Sequence, residues 1–216
     1  SGSPVPKTEA GLSDGERREA FARAMADVGR SSAAQTADLL NLSQARRALD
    51  VGGGPGIYAM EFARRYPQLK VTVLDDRDTL AVARENIVGA GLEARVLLLD
   101  GDVFSVQFAD SYDFIFVSNV VHMFSSEKNR EMVTRLSAQL RPGGRICLKD
   151  FFFEESWPVP EWSALFAVNM LVSTEGGNCY SYEEAEEWLR RAGFSGFERL
   201  EMTAQSRLLL GTLDDV

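Results

Sequence analysis

Short apolar runs alternate along the chain with stretches whose apolar residues recur at helical spacing, and this alternation predicts the fold. Five runs read as strands: Arg47–Val51, Lys70–Leu74, Arg95–Leu99, Asp113–Ser118 and Arg145–Phe151. Helical patterns fall between or after them, near Ile57–Tyr66, Thr79–Ala90, Glu127–Leu140 and Ser181–Ala192. Strands of such continuous hydrophobicity belong in a parallel sheet covered on both faces. The last helix stops at Gly193, and two further runs, Phe197–Met202 and Arg207–Leu213, predict an antiparallel hairpin at the end of the chain. The expected architecture is α/β, doubly wound, with seven strands in a mostly parallel sheet.

Ahead of the first strand, Phe21, Ala24, Met25 and Val28 share one face of a helix from Ser13 to Asp27, with Glu16, Arg17, Arg18, Glu19 and Arg23 mostly opposite. A second helix, Ser32 to Leu42, follows. The segment 1–42 is expected to be a helical lead that closes over the site as a lid, bringing Met25 to the substrate, with the core at 43–216. Ser1-Gly2-Ser3 reads as a cloning remnant. Beyond the fifth strand, Trp162, Phe166, Asn169 and Ser173 recur at helical spacing after Trp157-Pro158-Val159-Pro160.

Composition narrows the possible partners. A length of 216 residues suits a single domain, and a net charge of −9 lacks the cationic field that phosphate backbones require, so nucleic acid is excluded as a first reading. No apolar run approaches the roughly 18 residues of a membrane helix, and no secretory leader pattern opens the sequence. Cys147 and Cys179 make neither a disulfide framework nor a metal-ligand spacing, which points to free thiols in a reducing cytoplasm.

The first strand runs into Asp50-Val51-Gly52-Gly53-Gly54-Pro55-Gly56 and then a helix, the arrangement of a nucleotide-cofactor loop. Its glycines fall as Gly52-x-Gly54-x-Gly56, and the last glycine of a dinucleotide fingerprint would have to be at Ile57. Asp50 at the strand end would repel a pyrophosphate and attract a cation such as an ammonium or a sulfonium. S-adenosylmethionine is therefore preferred over NAD. Asp75 closes the second strand where a ribose diol would find an acceptor, and Gly101-Asp102-Val103-Phe104 follows the third, with a carboxylate for an adenine amine and an apolar surface for the ring. Asp50, Asp75 and Asp102 all lie at carboxyl ends of strands. Asp75, Asp76 and Asp78 could suggest a metal, but adjacent side chains diverge and no further ligand is evident, so no metal is expected.

These segments, with Asn119-Val120-Val121-His122, Leu140-Arg141-Pro142-Gly143-Gly144-Arg145 and Glu175-Gly176-Gly177, come in the order seen in class I S-adenosylmethionine-dependent O-methyltransferases. The chain resembles the Rossmann-like catalytic domain of the plant-type and bacterial polyketide small-molecule group from about Leu49 to Phe194. The resemblance implies that Asp50 to Gly54 hold the methionine end, Asp75 the ribose, and Asp102 with Val103 and Phe104 the adenine, with Ser118 lining the same cleft. S-adenosylhomocysteine is the implied product.

The only histidine, His122, follows the fourth strand, and imidazole is the side chain best matched to take a proton at neutral pH. In the family the histidine before Asp-Trp-Ser-Asp deprotonates the substrate hydroxyl; this chain departs there, reading His122-Met123-Phe124-Ser125-Ser126. Asp150 matches a family glutamate that orients the base, and the second family glutamate falls on Cys179. The family also implies a substrate wall at Trp162, Phe166 and Asn169. A short helical lead and an acidic ending suggest a domain excised from a polyketide synthase, monomeric as isolated, acting on a carrier-tethered hydroxyl. A stand-alone enzyme for an aromatic hydroxyl is the alternative. A carbon or nitrogen acceptor, or an inactive cofactor-binding module, are the further readings; a dehydrogenase lacks its glycines.

Overall fold

The computed structural model describes residues 13–154, 161–202 and 206–215, without the side chains of residues 14, 18, 19, 21, 25, 27, 28 and 31. A long helix α1 (Asp14–Leu39) leads into β1 (Arg47–Val51), α2 (Ile57–Arg65), β2 (Lys70–Asp75), α3 (Arg77–Ala90), β3 (Val96–Asp100) and β4 (Tyr112–Ser118). A single 3-10 turn (Val121–Met123) precedes α4 (Ser126–Ser137), β5 (Leu140–Asp150), α5 (Glu161–Ser173), α6 (Tyr182–Arg191), β6 (Phe194–Glu201) and β7 (Arg207–Leu213). The seven strands follow the order β3-β2-β1-β4-β5-β7-β6. β1, β2 and β3 pair in parallel, while β7 is antiparallel to both β5 and β6, which is the mixed sheet and terminal hairpin that the hydrophobic pattern predicts. Contacts divide the chain into two compact units that meet between Ile115 and Phe116, within β4.

In the first unit, β1 is buried from Ala48 to Val51, as a strand flanked on both sides must be. Phe62 of α2 meets Phe114 edge to face, at 6.4 Å between ring centres. Asp113 fixes the start of β1 by accepting the backbone N–H of Arg46 (2.7 Å) and of Arg47 (2.8 Å). The expected break between two leading helices does not occur: α1 runs straight through Gly29. Gly29 is buried beside Ile57, and the Ser32 hydroxyl donates back to its carbonyl at 3.2 Å, so packing against α2 offsets glycine's poor helix propensity. Ser13 and Glu16 form a capping box at the start of this helix. Ala22, Ala26, Ala33 and Ala37 are buried, and Arg23 pairs with Glu85 of α3 at 2.9 Å.

In the second unit, Ile146, Cys147 and Leu148 of β5 and Leu208 to Leu210 of β7 form the buried centre. β5 begins at Leu140, where the helical pattern was expected to persist; α4 instead ends at Ser137. A capping box of Ser181 and Glu184 starts α6, whose Trp188 packs edge-on against Tyr180 at 4.8 Å. Arg199 on β6 binds Glu154, Glu183 and Glu186, tying the hairpin to α6 and to the segment after β5. β6 is otherwise half-exposed and polar, as suits the edge of a sheet.

Candidate active site

The glycine loop is pinned to the end of β2. Leu74 O accepts the N–H of Gly52 (2.8 Å) and of Gly53 (3.3 Å), and Asp75 Oδ2 accepts that of Gly54 (2.8 Å). Gly52, Gly54 and Gly56 all take left-handed backbone angles that disfavour any side chain. Gly53 is required for a different reason: a Cβ there would lie 2.7 Å from the Asp50 carboxyl and 2.8 Å from Val73. A Cβ on Gly54, by contrast, would meet nothing within 4 Å among the described residues, so the loop has its open side there.

Asp50 is fully buried, and neither carboxylate oxygen has a partner in hydrogen-bond geometry among the described residues. Burial, reinforced by the charge of Asp75, pushes its carboxyl up from 3.8 to about 8, with only partial relief from the backbone of Ala59. An unpartnered buried carboxylate is costly, and a cationic ligand would satisfy it. Burial also raises Asp75, against the opposing N–H groups of Asp76 and Gly54. Asp76 points elsewhere, capping α3 through the N–H groups of Asp78 and Thr79. After β3, Asp102 is exposed and accepts the N–H of Phe104 at 2.7 Å; Val103 is buried and Phe104 half-exposed. These residues fit S-adenosylmethionine by chemistry: a buried acceptor for a cation, a carboxylate for a diol, and a carboxylate beside apolar surface for an adenine.

In the second unit, the chain turns sharply after β4. Ser118 is buried, with a hydroxyl that has no hydrogen-bond partner among the described residues. Asn119 adopts a left-handed conformation with φ of 57°, the only non-glycine to do so among the described residues, while its N–H donates to Lys149 O at 2.8 Å. The turn carries His122 back onto the end of β5. His122 Nδ1 lies 2.9 Å from Asp150 Oδ1 and 3.1 Å from Oδ2. Asp150 is itself buried and accepts the N–H of Phe151 at 2.8 Å. Two carboxylate oxygens at Nδ1 assign the proton of a neutral imidazole to that nitrogen and leave Nε2 with a lone pair.

Aromatic rings surround this pair. Phe166 meets the His122 ring edge to face at 5.1 Å and lies tilted against Phe151 at 4.4 Å, and Trp162 stacks on Phe166 at 6.2 Å. Trp162 and Phe166 thus come together with His122. Asn169, one turn along α5, is exposed and accepts a hydrogen bond from Ser173. The Met25 side chain lies outside the described residues, as do residues 155–160. Cys179, in place of the second family glutamate, is buried, and its thiol donates to Phe151 O at 3.2 Å. Burial pushes that thiol up to about 12, so it holds its proton and does not act as a base. The role of Phe151 was not foreseen, nor was that of Asn129 or Tyr180, which bond the carbonyls beside His122.

A glycine loop on a mixed, doubly wound sheet, strand-end carboxylates and a histidine–carboxylate pair place the chain in the doubly wound α/β class. The comparisons are more specific. Residues 3–195 match the O-methyltransferase domain family, and the chain belongs to that family. It is 32% identical over 89% of its length to 3-hydroxy-5-methyl-1-naphthoate 3-O-methyltransferase of Streptomyces sahachiroi, covering 56% of that protein. An O-methyltransferase family 2 protein from Planctomyces limnophilus, solved in complex with apigenin, superposes with a TM-score of 0.88 at 26% identity, over 95% of this chain and 63% of that one. The structure of PigF with S-adenosylhomocysteine gives 0.84 at 26% identity, over 92% and 59%. The chain therefore spans little more than half the length of these relatives.

Proposed function

We propose that this chain is an S-adenosylmethionine-dependent O-methyltransferase acting on a hydroxyl of a small natural-product-type molecule. Membership of the O-methyltransferase family and the structure of PigF with S-adenosylhomocysteine support the cofactor. Asp50 and the open side at Gly54 would hold its methionine end, Asp75 the ribose, and Asp102, Val103 and Phe104 the adenine. When bound, S-adenosylmethionine supplies a methyl group activated by its sulfonium.

The observation that carries the reading is the pairing of His122 with the buried carboxylate of Asp150. His122 Nε2 accepts the proton of the substrate hydroxyl, and Asp150 holds the imidazole in the required tautomer and stabilises the imidazolium that forms. The rings of Phe166 and Trp162 orient a flat apolar acceptor and exclude water around the base, and Asn169 offers a polar contact at the same helix. A relative named for a hydroxynaphthoate supports an aromatic hydroxyl as acceptor.

The test is a mass-spectrometric assay with the methyl donor and two panels, free hydroxyarenes and carrier-tethered hydroxyacyl groups. Gain of one methyl on oxygen by the free arenes supports this reading. Modification of the tethered panel alone moves the acceptor to a polyketide chain, and exclusive methylation at nitrogen or carbon overturns O-methyl transfer.

A further inference from the structure

We infer that Asn129 is a positioning residue for His122, acting through the backbone of the turn that carries the base; the inference rests on the reading of His122 given above. The turn Val121–Met123 is a single 3-10 turn, and its internal bonds, Met123 N to Val120 O (3.0 Å) and Phe124 N to Val121 O (3.3 Å), are too few to fix a side chain by themselves. The chain also lacks the Asp and Trp that follow the histidine in the family, reading Met123 and Phe124 instead.

Asn129 lies in the first turns of α4 on its buried stripe, with Met132, Val133 and Leu136, where an apolar residue is the expectation. It is completely buried. Its Nδ2 donates to Val121 O at 2.8 Å and to Phe124 O at 3.3 Å, the carbonyls on either side of His122. Flipping the amide would set its oxygen against those two carbonyl oxygens, so the network itself assigns the orientation. The Tyr180 hydroxyl donates to Phe124 O as well, at 2.6 Å, and Asn178 N–H to His122 O at 3.0 Å. Every carbonyl from 121 to 124 except that of Met123 thus has a named donor from α4 or the 178–180 segment. Burying an amide costs free energy that only its hydrogen bonds return, and here both N–H groups are spent on the turn that bears the base. The interactions hold the imidazole over Asp150 in place of the missing motif.

The experiment is a double-mutant cycle of Asn129→Leu and His122→Ala, read as kcat, KM and equilibrium binding of S-adenosylmethionine. Asn129→Leu should lower kcat by about 10–100-fold, since small displacements of a reacting group cost on that order, with cofactor binding unchanged. On the His122→Ala background the same substitution should have no further effect, because it acts only through the base. Tyr180→Phe, which keeps the ring and removes one donor, should lower kcat by a smaller factor and answers the question if Asn129→Leu does not fold. Unchanged kcat, or a loss of equal size on the His122→Ala background, overturns the positioning role. A His122→Ala enzyme with full activity overturns instead the reading on which the role rests.

Discussion

The carbonyl oxygen of His122 occupies the space into which a side chain on Gly177 would project: a Cβ at residue 177 would lie 2.3 Å from it and 2.4 Å from Thr174 Oγ1. Gly177 N–H donates to that Thr174 hydroxyl at 2.7 Å, and the neighbouring Asn178 N–H to His122 O at 3.0 Å. Gly177 is thus required by the close approach of the base-bearing turn, whatever its own dihedral angles. Gly177→Ala should cost about 1–3 kcal/mol of stability, the usual penalty of overpacking, and lower turnover as well. Urea denaturation together with a rate assay checks this; a change under about 0.5 kcal/mol would show that the turn yields freely.

Much of β1 and the glycine loop was legible in the sequence because their logic is local. The apolar run Arg47–Val51 is β1 residue for residue, and the glycines after it sit where sharp backbone demanded them. Gly53 could not be distinguished from its neighbours, since what requires it is the approach of Asp50 and Val73 in space. The continuity of α1 through Gly29 was hidden for the same reason: tertiary packing overrode a local break signal. Around His122 the pairing with Asp150 followed from family position, yet the turn and its donors did not. Asn129 left a trace, a polar residue in the stripe 129, 132, 133, 136, but a stripe cannot say which carbonyls an amide will meet.

The cofactor should bind with release of protons. With its carboxyl raised from 3.8 to about 8, Asp50 is protonated in the folded, unliganded protein across a range where the unfolded chain has already ionised. The folded state therefore binds more protons between roughly those two values, and this group's contribution to stability falls as pH rises through that window. A cation against the carboxylate favours the ionised form, so affinity for S-adenosylmethionine should rise with pH from 6 toward 8. Calorimetry at pH 7 in buffers of different ionisation enthalpy should detect a fraction of a proton released. Asp50→Asn should abolish it, and a release unchanged in that variant would remove Asp50 from the cation's surroundings.

Asp75 uses one oxygen on Gly54 N–H and the other on Asp76 N–H, at 2.8 Å each, and each oxygen keeps lone-pair capacity for a diol. Asp75→Ala should weaken cofactor binding by about 1.5–3 kcal/mol, the range for a charged acceptor, and should also loosen the glycine loop. Asp75→Asn separates the two contributions. It keeps much of the loop contact while losing the charge, so binding between that of wild type and Asp75→Ala is expected by titration calorimetry. Equal affinity in all three proteins would sink the ribose assignment.

The strongest test concerns the pair itself. An alkyl hydroxyl is so weak an acid that it does not ionise in advance, so removal of its proton must accompany attack on the methyl carbon. His122→Ala should therefore lower the rate by about 10²–10⁴-fold, with cofactor affinity nearly unchanged. A phenol, which can partly ionise alone, should show the smaller loss. In Asp150→Asn, an amide would face Nδ1 and the N–H groups of Phe151 and His122, where the wild type presents only acceptors. One donor would then oppose another, and the imidazole would lose both its fixed tautomer and the charge that stabilises its protonated form. The loss should nonetheless be smaller than for His122→Ala, because the base remains. Steady-state rates for the two variants on the same acceptor decide the matter: near wild-type O-methylation by His122→Ala would refute base catalysis and direct attention to amine or carbon acceptors.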